Sequence, residues 1–220
     1  MLLFAHRGYH ARNPENTLAA FAAAVQAGVD GIETDVRLSA DAQPVIIHDR
    51  ITPRGRPVAE LARREIERDV GHDVPTLDEI LEVFPGVIWN IEIKNPEVWP
   101  AAARILANYR ASRRLIVSSF RHEVVRQCAQ DLAIDCALLL AHRPLDVDTL
   151  MESCASLPSI KAIVWDYNVM DESVVSTVHA RNWKNFVYGP VTPAEHARCR
   201  ELGLAGVITD HPLTARESLQ

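Results

Sequence analysis

The 220-residue sequence predicts a closed (β/α)8 barrel of the TIM type, and three observations carry that prediction. Short apolar runs alternate with amphipathic stretches from end to end, giving eight strand–helix units. The runs are apolar throughout rather than at every second residue, as in parallel strands buried on both faces. No low-complexity linker or composition break divides the chain, so residues 1–220 read as a single domain. That length sits near the low end of the usual barrel range of roughly 200–250 residues. A doubly wound open sheet is the rival architecture. Its dinucleotide-binding version is disfavoured, because no Gly-x-Gly-x-x-Gly follows the first strand and no P-loop occurs.

Residues 2–5 form the first strand. An alanine-rich helix over 17–27 follows, capped by Asn16 or Thr17 and closed by Gly28. Residues 31–36 are the second strand, with a short extended piece at 44–48 after a turn. Thr76 caps a helix over 77–83. Strand 87–93 then pairs with helix 101–109, and strand 115–118 with helix 122–130. The remaining units are 135–140 with 147–156, 162–165 with 172–181, and 185–188 with 193–202. Strand 206–208 leads into a terminal helix ending near Leu219. Only 48–75 has weak rhythm. It reads as a short insertion after the second strand, with an arginine- and glutamate-rich solvated helix over 60–69 lying on the barrel.

A formal net charge of −6 argues against a nucleic-acid partner or an anionic membrane surface, both of which select basic stripes. The longest apolar run, 18–25, is far short of the ~18 residues of a membrane span, so no stable membrane association is expected. The first residues lack the apolar stretch of an export signal. The four cysteines show neither zinc-site pairs nor a disulfide framework. The cytoplasm is therefore the expected compartment.

Glu33 and Asp35 stand at i and i+2 on a strand and project to one face, while Ile32, Thr34 and Val36 take the other. Two carboxylates converging in a barrel mouth repel, and a divalent cation removes that cost. Glu92 and Lys94 repeat the spacing at the end of a neighbouring strand, on the catalytic face of a barrel. Oxygen-only ligation by Glu33, Asp35 and Glu92 favours Mg²⁺ or Ca²⁺ over zinc. The plainer alternative is an ion-pair network in which Lys94 neutralises a carboxylate. His6 and His48 each end an apolar run and flank the acidic cluster, suited to give and accept a proton. Arg7 is placed to grip a phosphate, and Gly8 allows close approach of the backbone to a ligand. Glu15 opens the first helix, where it either favours the positive helix end or orients Arg7 or a metal ligand. The other seven histidines, His10, His72 and His179 among them, read as surface residues. Trp165, Phe120 and Tyr188 fall at strand ends, as pocket walls or as core.

Taken in order, His6-Arg7-Gly8, Pro14-Glu15-Asn16-Thr17, Gly31-Ile32-Glu33-Thr34-Asp35-Val36, His48-Asp49, Pro75-Thr76-Leu77, Glu92-Ile93-Lys94 and the terminal Gly206-Val207-Ile208-Thr209-Asp210-His211-Pro212 resemble the glycerophosphodiester phosphodiesterase family. The resemblance implies a (β/α)8 barrel that uses a divalent ion to hydrolyse a glycerophosphodiester to glycerol 3-phosphate and an alcohol. It implies His6 and His48 as general acid and base, Glu33, Asp35 and Glu92 as metal ligands, and Arg7 and Lys94 as phosphate contacts. Two departures bear on the alcohol side of the pocket. Tyr188-Gly189-Pro190-Val191 replaces the family's Trp-Thr-Val-Asn, keeping the aromatic wall at Tyr188 but losing the amide. After His48, only Thr52-Pro53-Arg54 remains of an Arg-Thr-Thr pattern. A sphingomyelinase D-like enzyme acting on choline phospholipids is the near rival, but those enzymes are typically exported and disulfide-bonded. A non-catalytic barrel for phosphorylated metabolites has no need of the full histidine and carboxylate set. A Schiff-base lyase using Lys94 is disfavoured because an ammonium beside carboxylates stays charged.

Overall fold

The structure is a computed structural model that describes residues 1–218, so the expected helix end near Leu219 lies outside the described residues. Strand β1 (Leu2–His6) leads to helix α1 (Leu18–Gln26), then to β2 (Gly31–Leu38) and a short β3 (Pro44–Ile46). The insertion carries α2 (Arg63–Val70) and is followed by α3 (Leu77–Val83). Then come β4 (Ile88–Ile93), α4 (Trp99–Tyr109), β5 (Arg114–Ser119), α5 (His122–Asp131), β6 (Asp135–Leu140) and α6 (Val147–Glu152). The chain finishes with β7 (Ile160–Asp166), α7 (Glu172–Ala180), β8 (Lys184–Tyr188), α8 (Pro193–Glu201), β9 (Gly206–Thr209) and α9 (Pro212–Ser218). Every pairing in the ring is parallel, and β1 pairs with both β2 and β9, so eight strands close on themselves. β3 is an antiparallel appendage on β2. Among the described residues no helix is long and apolar enough to cross a membrane.

Side-chain alternation splits each strand between two environments. Ala5, Ile32, Val36, Trp89, Ile91 and Ile93 face outward into the shell of helices, where Phe21 stacks edge-on against Trp89 at 5.2 Å. Phe4, Ile88, Leu139, Val164, Phe186 and Ile208 point inward and fill the barrel. Phe4 and Phe186 meet edge-to-face at 5.9 Å across its lower part. Gly31 and Gly206 make room for those two rings: a Cβ on Gly31 would lie 2.3 Å from Phe4, and one on Gly206 2.7 Å from Phe186. This apolar plug leaves the upper, C-terminal layer of the interior to polar side chains.

The helix of the insertion begins at Arg63, later than the sequence suggests, and is not wholly solvated. It buries Ile66 against Val45, Val58, Leu61 and Val74. It also buries Asp69, which accepts hydrogen bonds from Thr52 Oγ1 (2.8 Å), Arg56 Nε (2.9 Å) and Arg56 Nη2 (2.7 Å). The hydrogen bonds from Arg56, against an opposing effect of burial, hold the Asp69 carboxyl down at about 2. A carboxyl whose pKa is lowered by folding stabilises the fold above its ordinary pKa and loses that contribution as pH falls toward the folded value. Asp69→Asn should therefore loosen the 50–70 segment. Limited proteolysis at neutral pH should cut it faster there than in the wild type, and wild-type cutting by an acid protease should rise as pH drops from about 4 toward 2. Equal cutting of both proteins at all pH values would contradict this role.

Candidate active site

Closure of the barrel sets the site. The register places His6 beside Glu33 across β1 and β2, and Asp35 beside Glu92 across β2 and β4. Glu33, Asp35 and Glu92 are all buried, and one oxygen from each lies within 4.8 Å of the others. Lys94 Nζ lies 2.6 Å from Asp35 Oδ1 and 2.7 Å from Glu92 Oε1. Lys94 thus pairs with both carboxylates at once. Asp35 Oδ2 is served by Asn16 Nδ2 at 2.8 Å and faces Arg7 Nε at 3.3 Å. Among the described residues, Glu33 Oε2 accepts a hydrogen bond only from the Arg7 backbone N–H, at 3.3 Å, and lies 3.7 Å from His6 Nε2.

These contacts divide the three carboxylates. Burial pushes Asp35 up, but the charges of Lys94 and Arg7 outweigh it and hold the group below its ordinary value. Burial and the nearby Asp35 raise Glu92, and Lys94 only partly opposes them. Glu33 is raised furthest, by burial first and then by repulsion from Asp35 and Glu92. Burial would lower Lys94, yet the two carboxylates raise it, so it remains an ammonium and is ill-suited to Schiff-base chemistry. An all-oxygen cluster of three buried carboxylates, with the charge of Glu33 poorly compensated, fits a hard divalent cation.

Arg7 occupies the left-handed region at φ 55°, in the turn between β1 and α1. Its N–H is fixed by the Glu33 carbonyl at 2.9 Å, and its guanidinium spans from Asp35 to Glu15, 2.9 Å away. Glu15 thus sits on Arg7. Gly8 serves packing rather than ligand approach: a Cβ there would lie 2.8 Å from the Ala20 backbone of α1. Thr17 is the cap of α1, accepting from Ala20 N. Asn16 (φ 58°) turns inward instead, bridging Thr34 Oγ1 to Asp35.

His6 Nδ1 lies 2.7 Å from Asp210 Oδ1, and His10 Nε2 lies 3.0 Å from the same oxygen. Burial would raise Asp210, but hydrogen bonds from His10 and His6 hold it well below the usual carboxylate range. His48 lies beyond β3, with Nδ1 2.9 Å from Asp49 and its carbonyl accepting from Arg37 Nε at 2.7 Å. His6, Arg7, Glu33, His48, Glu92 and Lys94 share a cleft of about 220 Å³. Its apolar wall includes Phe120 and Tyr188, edge-to-face at 6.1 Å. Burial raises the Tyr188 phenol, so it stays neutral. Trp165 is core, its Nε1 bonded to Asn185 at 2.9 Å.

Among the histidines that read as surface residues, two are tied to the end of β9. His10 is half-buried on Asp210. His196 is fully buried, 2.7 Å from the Thr192 carbonyl and 3.0 Å from Thr209 Oγ1, where it braces the end of β9 just before Asp210. Asp210 and Asn16 are site residues that strand and cap patterns alone do not single out. Both act across long sequence separations.

Residues 6–214 match the model of the Glycerophosphoryl diester phosphodiesterase family. A glycerophosphodiester phosphodiesterase of Caldanaerobacter subterraneus subsp. tengcongensis is 30% identical over 241 residues, covering 97% of this chain and 95% of that protein. The crystal structure of a glycerophosphodiester phosphodiesterase from Thermotoga maritima superposes with a TM-score of 0.86 at 26% identity, over 99% of this chain and 97% of its own. An Oleispira antarctica phosphodiesterase, solved with sn-glycerol-3-phosphate, shares the fold with a TM-score of 0.89 at 24% identity, over 100% and 96% of the two chains. The chain belongs to the glycerophosphoryl diester phosphodiesterase family.

Proposed function

We propose that this phosphoric diester hydrolase cleaves a water-soluble glycerophosphodiester to glycerol 3-phosphate and an alcohol. Glu33, Asp35 and Glu92 would hold Mg²⁺ or Ca²⁺, and His6 and His48 would act as general acid and base. The observation that carries the reading is a cluster of three buried carboxylates, two of which, Glu33 and Glu92, line one cleft with Arg7, Lys94 and both histidines. The bound cation would supply charge withdrawal from the phosphoryl oxygens.

A carboxylate accepts but never donates hydrogen bonds, so each paired ring carries its proton on Nδ1 and leaves Nε2 for the cleft. One Nε2 takes the proton of the attacking oxygen, that of water directly or that of the glycerol 2-hydroxyl with water then opening the cyclic phosphate, and the other ring, protonated, gives its proton to the alkoxide that departs as its P–O bond breaks. Asp210 and Asp49 hold the two imidazoles in that tautomer. Arg7, steadied by Glu15, and Lys94 stand where they can neutralise charge growing on the non-bridging oxygens. Phe120 and Tyr188 offer an apolar wall to the carbon skeleton of the diester.

His6→Ala and His48→Ala should each lower turnover of glycerophosphodiesters by at least ~10²-fold in a coupled assay for glycerol 3-phosphate. Near-wild-type rates in both would sink the two-histidine scheme. Asp210→Asn should reduce kcat by about 10-fold or more and change its pH profile while sparing KM, because the tautomer of His6 is no longer enforced. An unchanged profile would remove Asp210 from this role. Chelation should abolish activity, and added Mg²⁺ or Ca²⁺ should restore it. Glu33 is raised by folding, so its anion disfavours the metal-free fold above its ordinary pKa. Glu33→Gln should therefore keep or raise the Tm of chelated protein at neutral pH and lose the Tm gain that metal gives the wild type. A lowered Tm with the metal response intact would contradict the ligand assignment.

A further inference from the structure

At the opposite, N-terminal end of the barrel lies a larger cavity of about 600 Å³. Its rim carries four cations, Arg110, Arg113, Arg114 and Lys184, against one carboxylate, Asp135. Its floor is apolar, with Leu2, Ile88, Ile116 and Phe186 at the starts of four strands. Barrel catalysis takes place at the other end, so the chemistry described above does not use these groups.

The arginines are positioned without being neutralised. Arg110 Nη1 donates to the Leu132 carbonyl at 3.3 Å, Arg113 Nε to Leu81 at 2.8 Å and Arg114 Nη2 to Gly86 at 3.2 Å. Arg113 also lies over the Tyr109 ring, 5.3 Å from its centroid. The arginine ion pairs among the described residues involve other side chains. Arg113 also donates from Nη1 to Ser112, but a guanidinium has five N–H donors, so the single carbonyl bonds of Arg110 and Arg114 leave most of each fork unspent. Such a concentration of unpaired positive charge is unexpected on a chain of net charge −6. Its volume and its apolar floor with a few convergent polar groups match a small-molecule site. Several guanidiniums facing one space suit a tetrahedral dianion.

We propose that this end of the barrel is a second, non-catalytic binding site for a phosphate monoester with an apolar body. The phosphate would meet Arg110, Arg114 and Lys184, and the body would lie on Leu2, Ile88, Ile116 and Phe186. This site is independent of the proposed hydrolysis, and its failure would leave that reading intact.

Isothermal titration of the full chain with octyl phosphate tests it, with inorganic phosphate and neutral octyl glucoside as the other arms, all below micelle-forming concentrations. Octyl phosphate should bind saturably at a component that persists within about twofold in Arg7→Gln. The combined variant Arg110→Gln, Arg114→Gln, Lys184→Gln should weaken that component by at least ~10-fold, because it removes several charge-assisted hydrogen bonds. Diester turnover, measured on the same preparation, should stay at the wild-type level and so report a folded catalytic end. Octyl glucoside should not bind, and inorganic phosphate should bind more weakly than octyl phosphate. Absence of saturable binding, a component lost in Arg7→Gln but kept in the combined variant, or equal affinity for octyl glucoside would overturn the site. Equal affinity for inorganic phosphate would overturn the role of the apolar floor.

Discussion

Three buried carboxylates forced together are the constraint around which the upper barrel is arranged. Parallel pairing of β2 with β4 sets Asp35 beside Glu92, and period-two alternation brings Glu33 to the same face. Unpaired buried charge costs several kcal/mol, so each nearby donor has an assignable task. Lys94 serves Asp35 and Glu92, Asn16 and Arg7 serve Asp35, and Glu15 in turn steadies Arg7. Glu33 is the group these donors leave short, and its raised pKa expresses that shortage. A divalent cation would complete the balance.

Barrel closure joins this cluster to its acid–base groups. β1 lies between β2 and β9, so His6 stands next to Glu33 on one side and within reach of Asp210 on the other, 204 residues along the chain. The end of β9 is held in turn by the buried His196, through Thr209. Below, Phe4 and Phe186 fill the interior in space that Gly31 and Gly206 leave open. The apolar plug and the polar mouth thus come from the same strands, read at successive inward positions.

Most of this was legible in the sequence because strand periodicity is local. The eight strands, the short extended piece after the second and the shared face of Glu33 and Asp35 all follow from the spacing of residues within a few positions. Asn16 illustrates what local patterns miss: its residue type suits a helix cap, yet Thr17 takes the cap and Asn16 turns in to Asp35. His10 and His196 carry no spacing signal because their partners, Asp210 and Thr209, lie far along the chain. Asp69 looked solvated among charged neighbours, and only the return of Thr52 and Arg56 across the insertion buries it. Gly8 beside Arg7 suggests ligand access, whereas its need is the close packing of α1.

The central claim is that the carboxylate cluster is a cation site whose unmet charge rests mainly on Glu33. Calorimetric titration of Mg²⁺ or Ca²⁺ into chelator-treated protein at several pH values measures this directly. One ion should bind per chain, with proton release on binding and an affinity that falls as pH is lowered, because metal and proton compete for Glu33. Binding that is absent, or that is independent of pH and free of proton release, would contradict it.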